Sequence, residues 1–409
     1  MEKKCRFCSE GLDLTFADLG TSPLSNSFLK KFNLNKKESI FPLHAYVCRN
    51  CFLVQLEEFK SPDKIFNDYA YFSSYSETWI THAKEYVNNI VKRFNFNHNN
   101  FVIEIASNDG YLLQNFQKKN IPCLGVEPAE NVAEEAKKKG IKTLVKFFGK
   151  DTAKDISINQ RKADLLLGNN VLAHVPDINN FVEGMKILLN SDGIITMEFP
   201  HLMQLIEKNQ FDTIYHEHFS YLSLYTVKKI FEQHNLKIFD VKELKTHGGS
   251  LRIYATHIEN PTHIISDNVR KLLDKEMEFG IMDVSTYTNF QDRIIKVKKQ
   301  LLDFMYSAKN EKKKIICYGA AAKGNTLLNY CNIGLDNIDY VVDRSLYKQG
   351  MYLPGSHIPI KPVDEIKKTK PDYVLILPWN LQKEISEQIS FIKEWGGIFV
   401  IPIPETRTL

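Results

Sequence analysis

The stretch Phe101-Val102-Ile103-Glu104-Ile105-Ala106-Ser107-Asn108-Asp109-Gly110 begins as an apolar run and ends in a polar turn. A short run of this kind reads as a buried strand, and Ser, Asn, Asp and Gly supply the turn chemistry that ends it. A helical pattern follows. Then a second run, Cys123-Leu124-Gly125-Val126, closes on an acidic residue, Glu127. Outward from this pair, residues 142–148 form a weaker third strand. Ala163-Asp164-Leu165-Leu166-Leu167 forms a fourth, ending at Gly168-Asn169-Asn170, and Gly193-Ile194-Ile195-Thr196-Met197-Glu198 a fifth. Strands separated by helical patterns predict βαβ units and a mainly parallel α/β sheet. The polar turns fall at the carboxyl ends of the strands, where such sheets bind ligands.

The first turn discriminates between two cofactors. A dinucleotide brings a pyrophosphate against the backbone, hence G-x-G-x-x-G, whereas this turn has one glycine, Gly110. S-adenosylmethionine has no phosphate and carries a cationic amino acid tail and sulfonium, which Glu104 and Asp109 suit. Glu127 suits its ribose hydroxyls. The residues favour S-adenosylmethionine. The candidate contacts are Glu104, Ala106, Ser107, Asn108, Asp109, Gly110, Glu127 and Pro128, with Asn169 and Asn170 ending the fourth strand.

Ahead of this unit lie two knuckles, Cys5-Arg6-Phe7-Cys8 and Cys48-Arg49-Asn50-Cys51. Two C-x-x-C turns can present four thiolates in the closed tetrahedral set of a structural zinc. The spacing between the knuckles leaves room for a subdomain. Of seven cysteines in 409 residues, these four are paired by motif. The net charge of +4 gives no case for a nucleic-acid surface. No run approaches the ~20 apolar residues that span a bilayer, and Met1-Glu2-Lys3-Lys4 leads into Cys5 without an apolar leader. A cytoplasmic enzyme without nucleic-acid or membrane partners is expected; a monomer is compatible with this reading.

Between the knuckles and the sheet, Asp68-Tyr69-Ala70-Tyr71-Phe72-Ser73-Ser74-Tyr75 is rich in tyrosine, and residues 78–94 read as an amphipathic helix with Ile80, Ala83, Val87, Ile90 and Val91 on one face. The tyrosines read either as junction packing or as a hydroxyl facing the chemistry.

Acid and base groups concentrate in Tyr215-His216-Glu217-His218-Phe219-Ser220. Neutral imidazole accepts a proton near neutral pH, and a neighbouring carboxylate can orient it. His218 is the first candidate base, with Glu217 beside it. His216 is the alternative, because alternate residues share a face in an extended chain. His174 follows the fourth strand, either at the cleft or as a capping or wall residue. Thr246-His247-Gly248-Gly249-Ser250-Leu251-Arg252 reads as a glycine turn whose amides, with Arg252, would approach an anion, or simply as the turn before a strand.

Residues 262–312 read as a connecting helix. A second α/β unit follows, with strands at 315–318, 340–343, 373–377 and 398–401. Gly319-Ala320-Ala321-Ala322-Lys323-Gly324-Asn325 opens a helix whose N-terminus, with Lys323, suits a nucleotide phosphate.

These pieces resemble the sugar C-methyltransferases that build branched deoxysugars. The matching stretches run in order: the two knuckles, DYAYFSS at 68–74, EIASNDGYLL at 104–113, GVEPAENVA at 125–133, NNVLAHVPD at 169–177, YHEHFSYLS at 215–223, HGGSLRIY at 247–254, YGAAAKGNTLLNY at 318–330 and KQGMYLPGSHIPI at 348–360. The resemblance implies a zinc-binding N-terminal domain (1–75), a central Rossmann-like methyltransferase domain (76–260) and a C-terminal Rossmann-like domain that binds the nucleotide sugar (261–409). It implies a nucleotide-linked 4-keto sugar methylated at the carbon beside its ketone. His218 matches the base, Glu217 its neighbouring carboxylate, Tyr215 a cleft tyrosine and His174 a further active-site histidine. Tyr69 and Tyr71 both remain open as the tyrosine from the N-terminal side. Substrate contacts are expected from Phe72, His247, Gly249, Ser250 and Arg252, and from Tyr318, Ala320, Lys323, Asn325 and Thr326. The residues also admit an O- or N-methyltransferase, which needs no route to an enolate. A zinc-ribbon nucleic-acid-binding protein is disfavoured by the charge and by the lack of a basic-aromatic stripe.

Overall fold

A computed structural model of the chain describes residues 3–61, 73–75 and 77–409. The two knuckles fold alike. Ser9 and Phe52, each four residues after the first cysteine of its pair, take positive φ (63° and 58°), and their amides donate to the Cys5 and Cys48 carbonyls at 2.9 Å. Each turn thereby points two thiols inward. The room between the knuckles is filled by β1 (Leu14–Pro23) and β2 (Ile40–Val47), antiparallel partners, with β3 (Val54–Leu56) added to β2. Phe16 of β1 stacks on Phe290 at 4.7 Å between centroids, so this sheet shares one core with the C-terminal part of the chain.

The central sheet is built from β4 (Val102–Ile105), β5 (Cys123–Val126), β6 (Thr143–Leu144), β7 (Ala163–Asn169) and β8 (Leu189–Pro200), all parallel. A two-residue strand, β9 (Ser220–Tyr221), leaves this unit and pairs with β3 of the N-terminal sheet. β10 (Leu236–Leu244) and β11 (Ser250–His257) complete the seven-stranded sheet, in the order β10-β11-β8-β7-β4-β5-β6. β11 runs antiparallel to β8, so the parallel pattern ends at that edge. β4 lies between β5 and β7, and connections leave it in both directions. A crevice therefore opens beyond its carboxyl end.

The helix Glu77–Phe94 covers one face. Ala83, Val87 and Ile90 are buried as the periodicity predicts. Trp79 and Tyr86 are buried with them, while Ile80 and Val91 sit at the margin. The predicted single helix over 262–312 is three: Asp267–Phe279, Val284–Thr288 and Phe290–Asn310. Gly280, at φ 94°, takes the left-handed conformation that ends the first, and the Asp283 carboxylate caps the second by accepting from Ser285 N.

A third sheet has the order β14-β13-β12-β15-β16-β17, with β12 (Ile315–Tyr318), β13 (Val341–Val342), β14 (Ile360–Lys361), β15 (Tyr373–Ile376), β16 (Ile398–Ile401) and β17 (Arg407–Thr408). All but β17 run parallel. Its switch point follows β12. There Gly319 turns at φ 90°, against Pro378, and the helix Ala322–Cys331 begins. Among the described residues no helix is long and apolar enough to cross a membrane.

Candidate active site

The four cysteine Sγ atoms lie within 4.8 Å of one another, with Cys5–Cys51 at 3.6 Å and Cys8–Cys48 at 3.5 Å. Four sulfurs each ~2.3 Å from one zinc stand roughly 3.8 Å apart, so the set fits that ion. With four thiolates bound no coordination position stays open, which makes the site one of folding rather than chemistry.

A cavity of about 400 Å³ opens at the carboxyl ends of β4, β5 and β7 and runs to the switch point of the third sheet. At its first end the turn after β4 bends sharply, with Ala106 at φ 55° and Asn108 at φ 48°. Glu127, at the end of β5, holds that turn: its carboxylate accepts from Asn108 N and Ala129 N, both at 2.9 Å. Ala106, Asn108, Glu127, Pro128, Asn169 and Asn170 face the cavity. Burial pushes the Glu127 carboxyl up to about 7.

The remaining predicted cofactor residues stand behind the turn. Ser107 packs against Gly125, where a Cβ would come within 2.4 Å of its hydroxyl. Gly110 packs on Ile141 and Ala136, and Asp109 pairs with Lys139 at 3.2 Å. Both oxygens of Glu104 are buried and without a protein partner. Burial, with Glu127 and Asp109 nearby, raises its carboxyl well above the usual range. Buried acidic groups beneath this pocket suit a cationic ligand better than an anionic one.

The middle of the cavity is lined by three imidazoles and the 215–218 turn. His218 N donates to Tyr215 O at 2.9 Å, closing a bend over His216 and Glu217. The bend sends Glu217 and His218 into the cavity together. It turns His216 outward, where its Nε2 donates to Pro42 O at 3.0 Å. The extended-chain alternation behind the choice of His216 therefore does not hold, and His216 is a packing residue against Phe41 and Phe59. The Thr213 carbonyl, 2.9 Å from His218 Nδ1, can only accept a hydrogen, so Nδ1 carries the proton and Nε2 the lone pair. The Tyr215 hydroxyl donates to that lone pair at 2.8 Å. Burial, with His174 facing it, holds His218 well below its usual value, and burial also lowers His174 and His247 to about 4. Three neutral imidazoles thus meet in one cavity.

Glu217 does not orient His218; the Thr213 carbonyl does. Both Glu217 oxygens instead accept from Asn26 Nδ2 at 2.8 Å, and burial pushes its carboxyl up to about 7. His247, at φ 52°, accepts from Asn170 Nδ2 at 3.0 Å. Arg252 does not reach the cavity. It is bound to Glu198 at 2.7 Å, beneath the Thr246–Gly248 turn. Burial would raise Glu198, but His82 and Arg252 prevail and hold it at about 2. Gly249 packs on Gln204, and the Ser250 hydroxyl donates to Thr246 O.

At the far end Lys323 and Lys348 line the cavity beside Ala321 and Ala322. Lys323 lies 4.4 Å over the Trp379 ring and donates to Asn380 at 2.9 Å, while Lys348 donates to Ala320 O at 2.8 Å. Burial lowers both amines. Tyr318 bonds Gln388, and Ala320 N donates to Asp343. Asn325 donates to Ser25 O and Thr326 to Ile214 O. These four predicted substrate residues brace the walls. Phe72, Tyr69 and Tyr71 lie outside the described residues.

Lys348, Asn26 and Thr213 escaped the sequence reading. Lys348 stands in the KQGMYLPGSHIPI stretch, whose charge was visible but not its direction. Asn26 lies in a stretch with no motif at all.

Three family profiles match in order: a zinc binding domain over residues 5–66, a methyltransferase domain over 79–241 and a C-methyltransferase C-terminal domain over 245–404. The chain is 35% identical over 406 residues to the C-methyltransferase NovU of Streptomyces niveus, covering 99% of this chain and 96% of that one. Among solved structures, a magnesium protoporphyrin IX methyltransferase from Synechocystis with bound S-adenosylhomocysteine is 14% identical, with a TM-score of 0.35 over 44% of this chain and 83% of its own. An S-adenosylmethionine-dependent methyltransferase from Clostridium acetobutylicum is 12% identical, with a TM-score of 0.35 over 44% of this chain and 92% of its own.

Proposed function

The chain belongs to the C-methyltransferase family and is a zinc-binding, S-adenosylmethionine-dependent methyltransferase, and from that premise we propose that it methylates the carbon beside the ketone of a nucleotide-linked 4-keto sugar. One observation carries this reading. A single cavity is lined by the Glu127 turn, the neutral His218 and two half-buried lysines. The cofactor supplies an electrophilic methyl group on a sulfonium. Ala106, Asn108, Glu127, Asn169 and Asn170 would hold it at the β4–β5 end. Lys323 and Lys348 suit the diphosphate that links nucleotide to sugar.

The keto sugar then lies across the three imidazoles. A ketone acidifies its neighbouring C–H, and His218 Nε2 is the lone pair available to accept that proton. The Tyr215 hydroxyl donates to this lone pair. When a ketone enters, rotation of the hydroxyl onto the carbonyl oxygen frees the base and supplies a donor to the developing enolate in one movement. With S-adenosylmethionine held at the β4–β5 end, the enolate carbon would take the methyl group as its bond to sulfur breaks, and S-adenosylhomocysteine would leave. Ionised Glu217, on the same wall, offsets the charge that His218 acquires.

The test incubates the protein with S-adenosylmethionine and a panel of nucleotide-linked 4-keto sugars, followed by mass spectrometry and carbon NMR. One added methyl on a carbon that has lost its hydrogen is expected. Methyl on oxygen or nitrogen would replace this reading with an O- or N-methyltransferase.

A further inference from the structure

The Asn26–Glu217 contact joins the N-terminal sheet to the reaction site. Asn26 sits in the loop between β1 and β2 and reaches 191 residues along the chain to place Nδ2 at 2.8 Å from both carboxylate oxygens. Its side chain lines the cavity with Glu217.

The loop that carries it is clamped from the far end of the chain. Ser25 O accepts from Asn325 Nδ2, and Ser25 Oγ lies 3.4 Å from Thr326 Oγ1. Leu29 and Tyr352 exchange both backbone hydrogen bonds at 2.9 Å. On the other side, β9 follows Glu217 by three residues and is paired to β3. Donor and acceptor are thus each fixed by structure that neither supplies itself. A loop held only for stability has no need to aim an amide into a cavity.

We propose that Asn26 is a positioning residue for methyl transfer: the N-terminal sheet delivers its amide to hold the Glu217 carboxylate in place on the His218 wall. The inference rests on the reaction proposed above. An amide N–H donates only to lone pairs, and the ionised carboxylate is the better acceptor, so Asn26 favours the charged form. The other groups around Glu217 are Lys348, whose charge also favours the ionised form, the adjacent His218, and His174, whose ring bonds the Glu217 backbone carbonyl. Both imidazoles are held neutral by burial. The amide and the Lys348 amine are then what oppose burial at this carboxyl among the described residues.

The test compares wild type, Asn26→Ala, the isosteric Asn26→Asp, Glu217→Gln and the double variant Asn26→Ala/Glu217→Gln. Zinc content and cofactor affinity of each report the fold. Infrared difference titration against Glu217→Gln reads the Glu217 carboxyl without substrate. Losing one hydrogen bond to the charged form raises its midpoint by about one pH unit in Asn26→Ala, and the anion in Asn26→Asp raises it further. The acid limb of kcat moves with it while KM is unchanged, and Asn26→Ala has no further effect once Glu217 is Gln. An unshifted carboxyl in a zinc-loaded Asn26→Ala protein overturns the proposal, as does an equal loss of kcat in the Glu217→Gln background. A shifted carboxyl without carbon methylation of any keto sugar would remove the substrate reading and leave the Asn26–Glu217 pairing supported.

Discussion

Replacing His218 by asparagine separates proton removal from everything else this residue does. Its Nδ1 hydrogen satisfies the Thr213 carbonyl at 2.9 Å, and its Nε2 accepts from Tyr215 at 2.8 Å. An asparagine amide nitrogen falls near the position of Nδ1, so the Thr213 carbonyl keeps a donor. The Tyr215 hydroxyl loses its acceptor, at a stability cost of about 1 kcal/mol, which a chain of this size tolerates. No basic nitrogen remains. Loss of a general base costs roughly 100- to 10,000-fold in rate, or about 3–5 kcal/mol of barrier. The assay follows deuterium entering the substrate beside the ketone in D2O, with S-adenosylhomocysteine in the cofactor site so that no methyl can move. His218→Asn should lose exchange while binding both ligands as wild type does. Tyr215→Phe, which frees Nε2 but removes the enolate donor, should also lose about 100- to 1,000-fold. The pair together should lose little more than His218→Asn alone. Exchange that persists in His218→Asn, or additive losses in the pair, would refute the assignment of Nε2 as the proton acceptor.

Cys5→Ser with Cys48→Ser should lose its one zinc per chain by metal analysis and come out poorly soluble, since a structural site contributes to folding; full zinc occupancy would exclude these ligands. Glu127→Gln should weaken S-adenosylmethionine binding by roughly 1.5–3 kcal/mol in calorimetry, and unchanged affinity would remove Glu127 from the ribose. Lys348→Ala should raise KM for the nucleotide sugar at least tenfold while leaving cofactor affinity intact; a change in cofactor affinity alone would misplace the diphosphate end. His247 is held at about 4 by burial, below its ordinary ~6.5. The unfolded chain therefore takes up this proton first, and stability is lost as pH falls from about 6.5 towards 4. His247→Asn, which tolerates the left-handed backbone, should remove that share. Its stability relative to wild type in urea should improve from pH 7.5 to pH 5, and a constant difference would mean the imidazole is not held neutral.

The two α/β sheets and the paired knuckles were legible because their signals are local. The run from Phe101 to Gly110 with Glu127 after the next strand, and the paired C-x-x-C turns, each write their geometry within a few residues. Periodicity likewise placed the helix before the first strand. It missed the breaks between 262 and 312, and it missed the hairpin between the knuckles, whose strands alternate too irregularly to announce themselves. The cysteine quartet needed only the two turns to meet.

The proposed catalytic roles rest on contacts that cross the chain. Nothing in Tyr215-His216-Glu217-His218 says that the segment bends at His216, and that bend alone turns His216 onto Pro42 and Glu217 inward. Arg252 reads as a free cation until Glu198, 54 residues away, is found against it. Asn325 and Thr326 read as substrate contacts until the N-terminal loop and Ile214 occupy them. Asn26 reads as nothing until Glu217 arrives. A side chain's type is set by sequence, but its protonation and its free valences depend on which distant groups share its burial, because desolvation and hydrogen bonding act through space rather than along the chain.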